Sequence, residues 1–187
     1  MWAQLFLCDA DSTLIWDVLT SKCSIKRKVL VPKMHLTIYH ARRPMLSLQP
    51  CAEATNVVIP TAETRFMVLA PGGENPRPEL EPRKKKVGIR VQRKNDGRPE
   101  ILKFRERLLA HETPEVLGSR RPSTHVSNAF GARNFQPHMA LLRPGNGVDR
   151  DLTKLGSIFR QEIKSLTFDR FCIEIVLWDA NANRTPL

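Results

Sequence analysis

The chain of 187 residues carries 30 Lys and Arg against 19 Asp and Glu, a formal net charge of +11 and a pI near 10.0, with 41% apolar and 26% charged residues. That apolar share excludes a disordered chain and is enough to build a core, while no run approaches the ~18 apolar residues of a membrane span. The basic excess favours polyanionic partners, nucleic acid or nucleotide phosphate, through electrostatic attraction and counterion release.

In chain order, Ala3 to Cys8 reads as a short strand, and Asp11-Ser12 is placed to cap a short helix over Thr13 to Leu19. Ser24 to Lys28 is a basic connector, and Pro32 punctuates the chain before Met34-His35-Leu36-Thr37-Ile38-Tyr39, a histidine opening an apolar, β-branched strand. Ala41 to Pro44 is a turn; Asn56 to Ile59 and Thr64 to Leu69 are strands, the latter ended by Pro71-Gly72-Gly73. From Pro71 to Lys86 the composition shifts to Pro, Gly and Glu and closes on the basic run Arg83-Lys84-Lys85-Lys86, which reads as a loop or linker.

Val87 to Val91 alternates as a strand does, with Asn95-Asp96-Gly97 as its turn. Pro99 to His111 has Ile101, Leu102, Arg105, Leu108 and Leu109 at helical spacing, with Lys103, Arg105 and Arg107 expected towards water. Gly118 to Asn134 is a loop rich in Ser, Arg, Asn and Gly, whose Arg120, Arg121 and Arg133 are candidate phosphate contacts. The next stretch, Phe135-Gln136-Pro137-His138-Met139-Ala140-Leu141-Leu142-Arg143, again sets a histidine in an apolar strand and ends at Pro144-Gly145-Asn146-Gly147. Asp151 to Lys164 has apolar residues at helical spacing, Phe168 to Trp178 is a strand, and Asn181 to Leu187 is a tail. The whole pattern is that of an α+β domain.

The two histidine strands stand out because His35 and His138 are 103 residues apart yet share a context. Strand alternation puts His35, Thr37 and Tyr39 on one face, and His138, Ala140 and Leu142 together with Met139, Leu141 and Arg143 opposite. Histidine titrates near pH 6.5, so one imidazole can take a proton while its protonated partner gives one. Two of them flanking a phosphodiester suffice for acid/base hydrolysis. His40, His111 and His125 lack such a setting.

The cysteines at 8, 23, 51 and 172 form no C-x-x-C pair and no metal-ligand spacing, which suggests reduced thiols in a cytoplasmic protein. Met1-Trp2-Ala3-Gln4 has no basic leader region, and Asp9, Asp11 and Asp17 interrupt the early apolar residues, so no signal peptide is expected.

His35-Leu36-Thr37 and His138-Met139-Ala140-Leu141, the latter inside the Phe135 to Arg143 run, resemble the paired His-x-Thr/Ser signatures of the 2H phosphoesterase superfamily, the 2′-5′ RNA ligase and cyclic phosphodiesterase-like proteins. The resemblance implies one bilobal domain over 1–187 with a lobe linker at about 71–86, two pseudo-symmetric lobes whose antiparallel sheets form a central cleft, and helices on the outside. It implies hydrolysis of 2′,3′-cyclic or 2′-5′ phosphodiester linkages of RNA ends or nucleotides, reversible as an ATP-independent 2′-5′ ligation, with His35 and His138 as the acid/base pair. No metal, ATP or other cofactor and no membrane partner is implied. Thr37 and the residue at 140 would hold the phosphate, but Ala140 lacks the hydroxyl. Tyr39, Arg133, Phe135 and Arg143 are further candidate substrate contacts. The alternative is a noncatalytic RNA- or nucleotide-binding module that keeps the cleft and is impaired by Ala140.

Overall fold

A computed structural model describes residues 1–40, 45, 47–69, 85–92, 98–112 and 135–175. Its elements are β1 (Trp2–Leu7), α1 (Asp9–Ser21), β2 (His35–His40), β3 (Cys51–Pro60), β4 (Thr64–Leu69), β5 (Lys86–Val91), α2 (Arg98–Leu109), β6 (His138–Ala140), α3 (Leu152–Glu162) and β7 (Ser165–Glu174), with 3-10 turns at Arg27–Val29 and Thr61–Glu63. The strands form one seven-stranded sheet in the order β3-β7-β1-β2-β6-β5-β4. Every neighbouring pair is antiparallel. The antiparallel strands expected as the walls of a cleft are thus hydrogen-bonded into one sheet, joined at the β2–β6 seam.

Alternation explains how this sheet divides its two faces. Phe66, Ile89, Met139, Leu36, Leu5 and Phe171 stand side by side across six strands, and all are buried. That row ends on β3 at Glu53, whose carboxylate accepts two bonds from the Arg107 guanidinium of α2 at 2.9 and 3.1 Å. Helices cover this face. Phe104 of α2 packs on Phe171 with ring centroids 4.8 Å apart, Phe159 of α3 meets Phe66 edge-on at 5.2 Å, and α1 packs beside α3. Burying side chains of this size stabilises by about 1.5–3 kcal/mol each.

The caps differ in part from their sequence signals. Asp151 caps α3, its carboxylate accepting from the Thr153 and Lys154 amides. Helix α1 begins earlier than Asp11-Ser12 implies: the Cys8 thiol accepts from the Asp11 amide at 3.5 Å, while the Asp11 carboxylate accepts from the Thr167 amide of β7 at 2.6 Å. Asp11 therefore ties helix to sheet. Strand β3 runs well beyond Asn56 to Ile59, because it is an edge strand whose first half exposes alternate residues and so carries little apolar signal. Strand β7 starts at Ser165, ahead of Phe168, and its expected end at Trp178 lies outside the described residues. Most of the expected linker also lies outside them, and its last residue, Lys86, is the first of β5.

Arg105 corrects the expectation most sharply. It is 5% exposed, not turned to water: Nη1 donates to the Ile38 carbonyl at 2.7 Å and the guanidinium lies 4.2 Å over the Phe135 ring. A helical pattern with two apolar residues before and two after cannot reveal that the charged residue between them faces inward.

No helix among the described residues is long and apolar enough to cross a membrane. The four cysteines are free thiols.

Gly88 of β5 pairs with Ala140 of β6. A Cβ there would lie 2.2 Å from the Met139 carbonyl oxygen and 3.0 Å from the Ala140 Cα, both of them backbone atoms that cannot swing aside. Gly88→Ala should therefore lower unfolding stability in urea by about 2 kcal/mol or more, the cost of overpacking a rigid contact. An unchanged midpoint and slope would contradict this β5–β6 register.

Candidate active site

The seam is fixed by one pair of buried residues, Leu36 of β2 facing Met139 of β6. Antiparallel pairing then sets Thr37 beside His138 and His35 beside Ala140 on the face opposite the helices. The two histidines are diagonal neighbours, and such positions lie roughly 7–8 Å apart. A chain separation of 103 residues closes to adjoining strands.

Both imidazoles are held in the same way. Nδ1 of His35 meets the Lys33 carbonyl at 3.2 Å, and Nδ1 of His138 meets the Gln136 carbonyl at 2.9 Å, in each case the residue two positions earlier. Because a carbonyl only accepts, the neutral ring in each bond carries its proton on Nδ1 and leaves the Nε2 lone pair unprotonated. Each histidine is the first residue of its strand, and Pro137 keeps Gln136 in the extended region. Pro137 thus helps set the orientation of the His138 ring.

His35 is partly buried and His138 exposed. Burial pushes the His35 pKa below its ordinary value. The charges of Lys86 and His138 push it the same way, opposed by the Lys33 carbonyl and the Glu174 carboxylate. The Phe6 ring packs on His35 with centroids 5.5 Å apart, and the Arg170 guanidinium lies 5.0 Å over the other end of this stack, on Phe6. Gln4 stands beside Thr37 and Arg90 beside His138 by strand register.

Of the residues read from the sequence, His35, Thr37, His138 and Ala140 come together on one face. Tyr39 does not join them. Ala3 pairs with Tyr39 while Gln4 pairs with Thr37, so Ile38 is the extra residue of a bulge and the alternation breaks there. Tyr39 turns inward, 1% exposed, its hydroxyl donating to Glu112 at 2.5 Å, and His40 instead reaches the open face to stack on Trp2 at 3.7 Å. Phe135 lies under the Arg105 guanidinium and packs against the core. Past Ala140 the alternation breaks again: the Leu141 and Leu142 amides both donate to the Val87 carbonyl and both side chains are buried. Arg143 follows with Nε donating to the Leu30 carbonyl at 3.2 Å. Arg133, Arg120, Arg121 and His125 lie outside the described residues.

Sequence reading missed Phe6, Lys86, Arg90 and Arg170. The signal was present for two of them, since Arg90 alternates with Val87, Ile89 and Val91 in the expected strand and Lys86 directly precedes it. Phe6 and Arg170 become neighbours of His35 only through the strand order, which no local pattern gives.

The arrangement supplies two unprotonated Nε2 atoms, a hydroxyl and a positive field to a group lying across the seam, which is the equipment for proton transfer at a bound phosphate. Among the described residues no three His, Cys, Asp or Glu side chains are grouped to hold a metal ion. No family model, curated protein or solved structure matches the chain.

The depressed His35 pKa has a consequence for stability. Above about pH 6.5 the ring is neutral in both folded and unfolded chains; as pH falls below that value the unfolded chain takes up the proton first, so folding stability drops until the folded-state pKa is passed. His35→Gln should flatten this part of the pH dependence of unfolding free energy. The same slope in parent and variant would contradict the placement of His35.

Proposed function

We propose that the chain is a metal-independent phosphodiesterase of the two-histidine type, acting on 2′,3′-cyclic or 2′-5′ phosphodiester linkages of RNA ends or nucleotides. The observation that carries this reading is the matched pair of imidazoles, each fixed through Nδ1 to the carbonyl two residues before it and each leaving Nε2 to the same face of the sheet. The motif resemblance and the basic chain are in accord with it. In this reading the strands on either side of the β2–β6 seam act as two lobes, each contributing one histidine.

The chemistry balances without a further reagent. Nε2 of His35, kept neutral by burial, removes a proton from water as its oxygen attacks the cyclic phosphate. The P–O bond to one ribose oxygen breaks, and Nε2 of His138, protonated, gives its proton to that oxygen. With an RNA hydroxyl in place of water as nucleophile, the same steps form a 2′-5′ bond from a cyclic phosphate as its bond to the other ribose oxygen breaks. Thr37 hydrogen-bonds a nonbridging oxygen as negative charge develops there. At Ala140, opposite His35, no side chain does so.

The test is hydrolysis of a 2′,3′-cyclic nucleotide in EDTA between pH 5 and 9. The parent should give a bell-shaped profile, and His35→Ala or His138→Ala should each reduce kcat by ~10²- to 10⁴-fold. Thr37→Val should cost about 10²-fold, as for loss of one donor to a developing oxyanion. Ala140→Thr should raise the rate. A folded parent without turnover that still binds the nucleotide would overturn the hydrolytic reading in favour of a noncatalytic binding module, the reading to which Ala140 lends weight.

A further inference from the structure

The two halves of the open face differ in chemistry. On the β1–β7 side it carries rings and a carboxylate: Phe6 under Arg170, Trp2 against His40, and Glu174. On the β5–β4 side it carries Lys86, Arg90 and Arg65, and among the described residues no ring.

Arg90 is the direct cross-strand partner of His138, and Arg65 is the direct partner of Arg90. Like charges set directly opposite on adjacent strands repel, and the usual remedy is an acid between them. Here there is none. Neither Arg65 nor Arg90 has an ion-pair or hydrogen-bond partner among the described residues, and Arg65 is exposed. Two strand spacings, roughly 10 Å, carry this row outward from His138 to Arg65. It starts at the scissile position and leads away from the rings.

From this the geometry points to a second phosphate subsite formed by Arg90 and Arg65, which takes the phosphodiester backbone of a single-stranded RNA whose terminal nucleoside lies over the β1–β7 side. The inference rests on the phosphodiesterase reading for the position of the scissile group. It deepens that reading: the ligand is an oligoribonucleotide, and a cyclic mononucleotide fills only part of the site. The shared feature that the subsite recognises is a second backbone phosphate, whatever the base attached to it.

The probe is a short fluorescent oligouridylate ending in a 2′-phosphate, titrated with the full chain over a series of salt concentrations. Uridine 2′-monophosphate serves as the ligand with no second backbone phosphate. Arg65→Gln should weaken oligouridylate binding and reduce the slope of log K against log[salt] by about 0.7, the share of one phosphate contact on a single strand, while leaving monophosphate affinity unchanged. Lys154→Gln, on the exposed surface of α3, makes the same charge change and should leave both slopes as in the parent. If Arg65→Gln weakens both ligands equally, or neither, or changes the slope no more than Lys154→Gln does, the subsite is disproved. Binding is read without turnover, so a parent that fails to hydrolyse cyclic nucleotides while Arg65→Gln still loses the slope would refute the catalytic reading and leave the phosphate subsite standing.

Discussion

The structure depends on the pairing of β2 with β6, two strands 103 residues apart in sequence that meet at Leu36 and Met139. Closing so long a segment costs chain entropy, although that cost grows only logarithmically with length. It is offset by the apolar row running from Phe66 to Phe171, in which Leu36 and Met139 are the central members. The side chains that hold the seam from the helix side leave His35, Thr37, His138 and Ala140 as neighbours on the other. Core packing and site assembly are therefore one event, and a slip of one residue in the seam would exchange the two faces.

Arg105 reinforces that seam from within. Its hydrogen bond satisfies the Ile38 carbonyl, three residues after His35, and its guanidinium stacks on Phe135, three residues before His138. One side chain of α2 thus touches both motif segments near their histidines. Among the described residues its Nη2 has no hydrogen-bond partner, an unusual cost for a buried charge, and burial lowers the pKa of the group. The bulge at Ile38, with the carbonyl it offers to Arg105, is what sends Tyr39 inward and returns His40 to the open face.

The sequence made the strands legible where one face is apolar throughout, as in β1, β2, β5 and β7, and the helix α3 where Asp151 caps an amphipathic run. It made the histidine pair legible because each sits at the head of an apolar strand that follows a proline within three residues. What it hid were features decided across strands. The bulge at Ile38 depends on the register with β1, the burial of Arg105 depends on which helix face meets the sheet, and the first half of β3 has polar residues because it lies on an edge. Phe6 and Arg170 belong to the site's surroundings through strand order alone. Local alternation shows which residues share a face within a strand; only the order of strands shows which of them share a site.

The central claim is that both histidines present an unprotonated Nε2 to a common face, because each Nδ1–H is donated to the carbonyl two residues back. Nitrogen-15 side-chain NMR of His35 and His138, recorded at a pH where both rings are neutral and assigned with single histidine substitutions, tests it most directly. Both rings should be the Nδ1–H tautomer. An Nε2–H tautomer in either ring, with the fold intact, would mean that this histidine does not donate Nδ1–H to the carbonyl two residues back and is not poised as a base on the common face.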